Sequence, residues 1–273
     1  MITPPPPLPP QRLRFMNEDD AKFIHTGNVL ATTLYDHGLG ADSRLLDVGS
    51  GYGRLAVGLM NTGYSGRYLG FDILGRHVRW CRQNLTTDPR YRFAHLDVLN
   101  ARYNPGGSIP AVEARFPAPD RSRDYCALFS VFTHFYADDI RRYLAEIRRV
   151  LVPGGLAATT WFLFDDARLP AITGERSAFR LVHQLDDVTR YETTTDPLKA
   201  IGYEESFVRT LVAEAGLEVA SVTRGSWAGD QPPEQYQDLV ILRRPLPAPA
   251  AKPPAPSAAT RVRRRLGRLR RRA

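Results

Sequence analysis

The densest chemistry in the chain lies in Leu45-Leu46-Asp47-Val48-Gly49-Ser50-Gly51-Tyr52-Gly53. Glycines at alternate positions let the backbone turn tightly and approach a ligand closely. A dinucleotide-binding turn would space its glycines G-x-G-x-x-G and aim helix N–H groups at a pyrophosphate. Here the third glycine falls one place early and Arg54 stands where the last one would be. Asp47, two residues before the first glycine, would repel phosphate; it suits a cationic partner such as an amino group or a sulfonium. Asp72 follows 23 residues after Gly49, at the end of a second apolar run. A carboxylate there can accept from both hydroxyls of a ribose. Asp97 ends a third run, where a carboxylate can accept from the exocyclic amine of an adenine. The alternative is that the three acids only cap turns.

These residues need a frame. Asn17 is a good N-cap before Glu18, Asp19 and Asp20, and Phe23, Leu30 and Leu34 recur at helical spacing, so 18–36 reads as a helix. Strands are expected at 44–48, 67–72, 91–96, 124–130 and 156–164, with helices at 55–60 and 75–85. Ile140, Leu144, Ile147 and Leu151 fall on one helical face, and Pro153-Gly154-Gly155 ends that helix. A helix over 204–215 closes at Gly216, and strands at 217–223 and 236–242 finish the domain. Strands alternating with helices predict an α/β fold, a doubly wound parallel sheet with helices on both faces. Ligands of such sheets sit beyond the carboxyl ends of the strands.

In this order the sequence resembles the class I S-adenosylmethionine-dependent methyltransferases. The stretch 45–53 looks like that family's first motif, and Tyr68-Leu69-Gly70-Phe71-Asp72 like its acidic second-strand end. Phe93 to Val98 looks like the adenine-binding turn, and Ser130 to Gly155 like the region after the fourth strand. The resemblance covers roughly 40–165, and more loosely extends to 244. It implies a Rossmann-like seven-stranded sheet whose last strand is antiparallel, with S-adenosyl-L-methionine as cofactor. Asp47, Gly49 and Gly51 would hold its methionine part, Asp72 the ribose, and Asp97 with Val98 the adenine. Ser50, Arg54, Ile73 and Ser130 belong to the same cofactor-binding set.

Methyl transfer to a hydroxyl needs an aligned acceptor and a base that removes its proton. His134, in Ser130-Val131-Phe132-Thr133-His134-Phe135-Tyr136, follows the fourth strand and is the candidate general base. The alternative is a histidine that packs on the cofactor or caps a turn. Asp138 and Asp139 read as the first turn of the next helix rather than as metal ligands, and no metal is expected. No Asn-Pro-Pro-Tyr-type turn follows the fourth strand, which disfavours an adenine amine as acceptor. No cysteine lies in a loop after a strand, where it could attack a pyrimidine. The segment 100–107, with Tyr103 and Asn104, resembles one found in bacterial methyltransferases of glycans and secondary metabolites. The expected acceptor is therefore a hydroxyl of a saccharide, glycolipid or secondary metabolite. Candidate acceptor contacts are Tyr103, Asn104, Tyr136, His183 and Trp227. The long stretch 165–203 is expected to be a lid over that site.

The charge is unevenly placed. Lys+Arg number 37 against 29 Asp+Glu, a formal +8. Nine of those basic residues and none of the acids lie from Pro245 onward, which leaves the body with 28 basic against 29 acidic residues. A near-neutral body argues against a nucleic-acid-binding fold. An RNA methyltransferase recruited by the tail, and a non-catalytic cofactor-binding protein of the same fold, are the competing readings. Prolines cluster in 4–10 and 245–256, so 1–14 reads as an arm, 15–244 as the methyltransferase domain and 245–273 as linker and tail. Val262, Leu266, Leu269 and Ala273 make a thin apolar stripe amid arginine, which suits an anionic membrane surface, or else the tail is simply solvated. The start has no signal-peptide pattern and no apolar run reaches the ~18 residues of a membrane span, so a cytoplasmic protein is expected. Cys81 and Cys126 carry no framework or metal spacing and are expected to be reduced.

Overall fold

The structure, a computed structural model, describes residues 5–14, 18–232 and 235–247. Its main sheet has seven strands in the order β10-β11-β5-β4-β1-β2-β3. These are β1 (Arg44–Val48), β2 (Arg67–Asp72), β3 (Tyr91–His95), β4 (Arg123–Leu128), β5 (Leu151–Trp161), β10 (Glu218–Thr223) and β11 (Asp238–Arg243). Strands β1 to β5 pair in parallel, while β11 runs antiparallel to both β5 and β10. The expected doubly wound sheet with an antiparallel last strand is therefore present.

Alternation along each strand sends neighbouring side chains to opposite faces. In β1, Leu45 packs with α1 (Asp20–Asp36), α2 (Arg54–Asn61) and α3 (Gly75–Asn84), whereas Leu46 and Val48 pack with α4 (Ala137–Val150) and α6 (Glu205–Glu214). Cys81 and Cys126 lie buried in these two different layers, on opposite sides of the sheet. Helix α4 buries Ile140, Leu144 and Ile147, each worth roughly 2 kcal/mol of transfer free energy. Helix α1 crosses α2 backbone to backbone: a Cβ at Gly58 would lie 1.9 Å from the Gly27 carbonyl oxygen.

Several boundaries differ from expectation. Asn17 lies outside the described residues, and Asp19 is the N-cap of α1, its carboxylate accepting from the Lys22 N–H at 2.7 Å. Pro153-Gly154-Gly155 does not separate helix from strand. Strand β5 begins at Leu151 and carries these residues as a bulge, across which the register against β4 slips. Arg244 holds the bulge in the sheet: it accepts from the Gly154 N–H, donates to the Gly155 carbonyl, and its guanidinium reaches the Leu151 carbonyl at 2.6 Å. The proline-rich arm is not detached. Pro9 is buried and its carbonyl accepts from the Arg14 guanidinium, which also lies over the Phe23 ring of α1.

The expected fifth strand breaks after Trp161. Its end, β6 (Leu163–Phe164), joins β7 (His183–Asp186), β8 (Thr189–Tyr191) and β9 (Ile201–Glu204) in a second sheet ordered β6-β9-β8-β7. The insertion thus has its own sheet, the short helix α5 (Leu169–Thr173), and a small core of Phe162, Phe164, Ile172, Leu181, Ala200 and Trp227. Arg168 fastens this unit to the main sheet. Its guanidinium pairs with Asp238 at 2.7 Å and Asp230 at 2.8 Å, and donates to the carbonyls of Leu163 and Gly225. Asp238 is fully buried, so Arg168→Ala leaves an uncompensated interior carboxylate. A loss of about 3–5 kcal/mol is expected in chemical denaturation, with a smaller loss in the Arg168→Met/Asp238→Asn double variant.

Candidate active site

The site forms where β1, β2, β3 and β4 end. After β1 the chain turns through Gly49, Gly51 and Gly53 with φ of +75°, +53° and +79°, and enters α2. The turn is stitched onto β2. The N–H groups of Gly49 and Ser50 both donate to the Phe71 carbonyl, at 2.9 and 3.0 Å. The Asp72 carboxylate accepts from the Gly51 N–H and the Leu74 N–H, each at 2.8 Å. Gly51 shows what the turn is open to: a Cβ there would meet nothing within 4 Å. Beside it the Ser50 hydroxyl is buried without a hydrogen-bond partner. An open cradle and an orphaned hydroxyl fit a bound polar ligand at this turn.

Asp47 lies beneath the turn. Its carboxylate is buried and accepts from the Tyr68 hydroxyl at 2.5 Å. Burial pushes its pKa up to about 7, against the opposing effect of the Tyr68 hydrogen bond, and the negative charge of Asp72 pushes in the same upward direction. Asp72 is raised by burial as well. Among the described residues no arginine or lysine hydrogen-bonds either carboxylate, and His77, 3.7 Å from Asp72, is held neutral by burial, which pushes its pKa down to about 4, so this pocket is prepared for a cation.

Beyond β3 the loop closes on Asp97. Its carboxylate accepts from the Asn104 amide at 2.9 Å and the Ser108 N–H at 3.1 Å, and these bonds hold its pKa below the usual range. Ile73, Asp97, Tyr103 and Asn104 line one open cleft of about 330 Å³. Val98 is buried beneath it.

His134 sits in a 3-10 turn, Phe132–His134, just after β4. Its Nδ1 lies 2.8 Å from the Leu198 carbonyl. A carbonyl only accepts, so the proton is on Nδ1 and the lone pair on Nε2. Nε2 faces the Tyr103 hydroxyl at 3.3 Å, with the two rings edge-on. Burial lowers the His134 pKa, so the neutral form persists below the usual histidine range. Asn100, buried under the same loop, donates to the His134 carbonyl and caps the Arg102 and Tyr103 N–H groups.

The structure brings Asp47, Gly49, Ser50, Gly51, Asp72, Ile73, Asp97, Val98 and Ser130 to the same strand ends. Ser130 has φ +56°, its N–H donates to Thr160 and its hydroxyl to Gln237. Val131 beside it abuts the turn, 2.9 Å from where a Gly49 Cβ would be.

Other residues are placed differently. The Arg54 guanidinium turns away to Glu18, at 2.7 Å, and lies over the Phe23 ring, so it braces α1. Asn104 spends its amide nitrogen on Asp97 and the Val98 carbonyl, which makes it a support for the acid. Trp227 is fully buried against Phe162 and donates its indole N–H to Asp238, so it packs the insertion and faces no ligand. His183 lies on β7, the outer strand of the second sheet, with its ring stacked on Tyr191. Tyr136 is exposed at the N-cap of α4, whose first turn holds Asp138 and Asp139. Among the described residues, no three His, Cys, Asp or Glu side chains gather as metal ligands. The contribution of Leu198 was illegible in the sequence, because any residue supplies a carbonyl. Asn100 carried a faint signal, an Asx-type residue ahead of a loop.

Residues 46–159 match the family described as a methyltransferase domain. Solved structures share the fold. The 1,6-didemethyltoxoflavin-N1-methyltransferase of Burkholderia thailandensis, with 1,6-didemethyltoxoflavin and S-adenosylhomocysteine bound, is 16% identical over 83% of this chain and 81% of its own, with a TM-score of 0.52. A SAM-dependent methyltransferase from Aquifex aeolicus is 17% identical over 87% and 100%, with a TM-score of 0.52. The PH0226 protein from Pyrococcus horikoshii OT3 is 16% identical over 85% and 94%, with a TM-score of 0.56. Residues 46–159 are thus a methyltransferase domain, and the strand order and glycine turn around them are those of the Rossmann-like fold of S-adenosylmethionine-dependent methyltransferases.

The raised pKa of Asp47 has two measurable consequences. In the ligand-free protein, folding becomes less favourable as pH rises from about 4 to 7, because the unfolded carboxyl ionises first. Asp47→Asn should therefore stabilise the ligand-free protein at pH 8 by on the order of 1–3 kcal/mol in thermal or chemical denaturation. A cationic ligand favours the carboxylate, so calorimetric affinity for S-adenosylmethionine should rise several-fold (roughly 3–10-fold) between pH 6 and pH 8 in the wild type. The same measurement on Asp47→Asn should be weaker and flat.

Proposed function

We propose that this enzyme transfers a methyl group from S-adenosyl-L-methionine to a hydroxyl of a saccharide, glycolipid or secondary metabolite, with His134 as general base. The cofactor supplies an electrophilic methyl carbon on a sulfonium. Asp47, Gly49, Ser50 and Gly51 hold its methionine part, Asp72 accepts from the ribose hydroxyls, and Asp97, with Ile73 and Val98, receives the adenine. Ser130 and Val131 border the same space from β4.

The observation that carries the base assignment is the Nδ1–H bond to Leu198. It leaves Nε2 unprotonated and turned toward Tyr103, in a histidine that burial keeps neutral at physiological pH. Nε2 would take the acceptor hydroxyl's proton while the oxygen displaces S-adenosylhomocysteine from the methyl carbon, the C–S bond breaking as the C–O bond forms, and the imidazolium would then release the proton to water. Tyr103 and the exposed Tyr136 stand on either side of this nitrogen in sequence and offer aromatic faces, which suits a sugar-like acceptor. The insertion reaches the same place through Leu198, in keeping with a lid role for 165–203.

The test is formation of S-adenosylhomocysteine against hydroxylated glycans, glycolipids and polyketides, with mass analysis of the product. His134→Ala should lower turnover by roughly 10²-fold with cofactor affinity kept; near-normal turnover would remove His134 as the base. The arginine-rich tail lies outside the described residues. We propose that 260–273 brings the enzyme to anionic membrane surfaces where such acceptors reside. No helix among the described residues is long and apolar enough to cross a membrane. Deleting 245–273 should abolish co-sedimentation with phosphatidylserine vesicles; unchanged co-sedimentation excludes the idea.

A further inference from the structure

The insertion meets His134 by two routes, and both start at Asp196. The first is through the backbone. Asp196 opens the 3-10 turn Pro197–Lys199, its carbonyl accepting from the Lys199 N–H at 3.0 Å, and this turn presents the Leu198 carbonyl to His134 Nδ1. The second is through side chains. The Asp196 carboxylate is ion-paired with Arg102 in the loop after β3. The Arg102 guanidinium lies over the Tyr103 ring, 5.3 Å from its centroid, and the Tyr103 hydroxyl faces Nε2. The two routes close a ring around one imidazole.

An aspartate at a helical N-cap ordinarily bonds the N–H groups of its own turn. Asp196 makes no such bond, and its carboxylate goes to Arg102. The pair is part-exposed, 36% for Asp196 and 28% for Arg102, so its worth as a surface ion pair is small. Its consequence is geometric. A free neutral imidazole prefers its proton on Nε2, whereas this site holds it on Nδ1, and that requires the Leu198 carbonyl to stay in place.

We infer that Asp196 is a positioning residue for the base: it fixes the insertion's turn against the loop after β3, so that Leu198 holds the Nδ1–H tautomer and Tyr103 stays at Nε2. Its effect on turnover rests on His134 being the base; its effect on the tautomer does not. The ion pair also explains why a lid without a catalytic side chain of its own would matter to the chemistry.

The experiment uses the full chain and four variants, Asp196→Ala, Arg102→Ala, the double variant and Asp196→Glu. The His134 tautomer is read from two-bond 15N–1H correlations, alongside kcat, KM and calorimetric cofactor affinity. Asp196→Ala and Arg102→Ala should each populate the Nε2–H tautomer and lower kcat by roughly 10-fold, with cofactor affinity within about 2-fold of wild type. The double variant should be no worse than either single variant, and Asp196→Glu should restore most of the tautomer and the rate. An unchanged tautomer in Asp196→Ala overturns the proposal whatever the rate does. Multiplied losses in the double variant overturn it too, because the two residues would then act separately. If His134→Ala retains turnover while Asp196→Ala still shifts the tautomer, the base assignment fails and the positioning role stands.

Discussion

The site depends on the bonding between the glycine turn and the end of β2. Four N–H groups, from Gly49, Ser50, Gly51 and Leu74, converge on the Phe71 carbonyl and the Asp72 carboxylate. Parallel pairing sets Val48 opposite Phe71, so the two strand ends finish at one level and the bonds can form. The turn must then leave in a left-handed conformation, which glycine adopts without steric cost. The same bonds fix the Asp72 carboxylate beside the turn. With this junction displaced, Ser50, Gly51 and Asp72 would no longer share one cradle.

The junction carries an electrostatic cost. Burial raises the proton affinity of both Asp47 and Asp72, the charge of Asp72 adds to the rise at Asp47, and among the described residues no guanidinium or ammonium hydrogen-bonds either. The contrast with Asp238 is instructive. That carboxylate is buried just as deeply, yet it is paired with Arg168 and bonded to Gly225, Trp227 and Leu163. Asp238 has a cationic partner and joins two sheets; Asp47 accepts from the Tyr68 hydroxyl at a strand end, with no arginine or lysine bonded to it among the described residues. A carboxylate held at such a cost is expected where a cation binds.

The insertion is part of the same design. Arg168 and Trp227 anchor it on the Asp238 side, and the Asp196–Arg102 pair with the Leu198 carbonyl anchors it at His134. The imidazole is thereby enclosed by three segments that are remote in sequence: the loop after β3, the turn after β4, and the 196–199 turn. Its lowered pKa follows from that enclosure, since burial disfavours the charged ring.

Much of this was legible in the sequence. Short apolar runs, one helix with a clear apolar face and the spacing of Asp47, Gly49, Asp72 and Asp97 pointed to the fold class and to the strand ends where these residues gather, because these signals are local. The second sheet was hidden: β7 is mostly exposed, β8 is only three residues long, and neither alternates, so their pairing has no local signature. Arg54 lay beside the motif in sequence but is claimed by Glu18, and Trp227 offered an aromatic face that the core buries. The sequence alone determined which residues stand at the strand ends and the kind of ligand their charge favours. The tertiary structure alone decided which nitrogen of His134 carries the proton, because that rests on a backbone carbonyl 64 residues away, a partner that no side-chain pattern encodes.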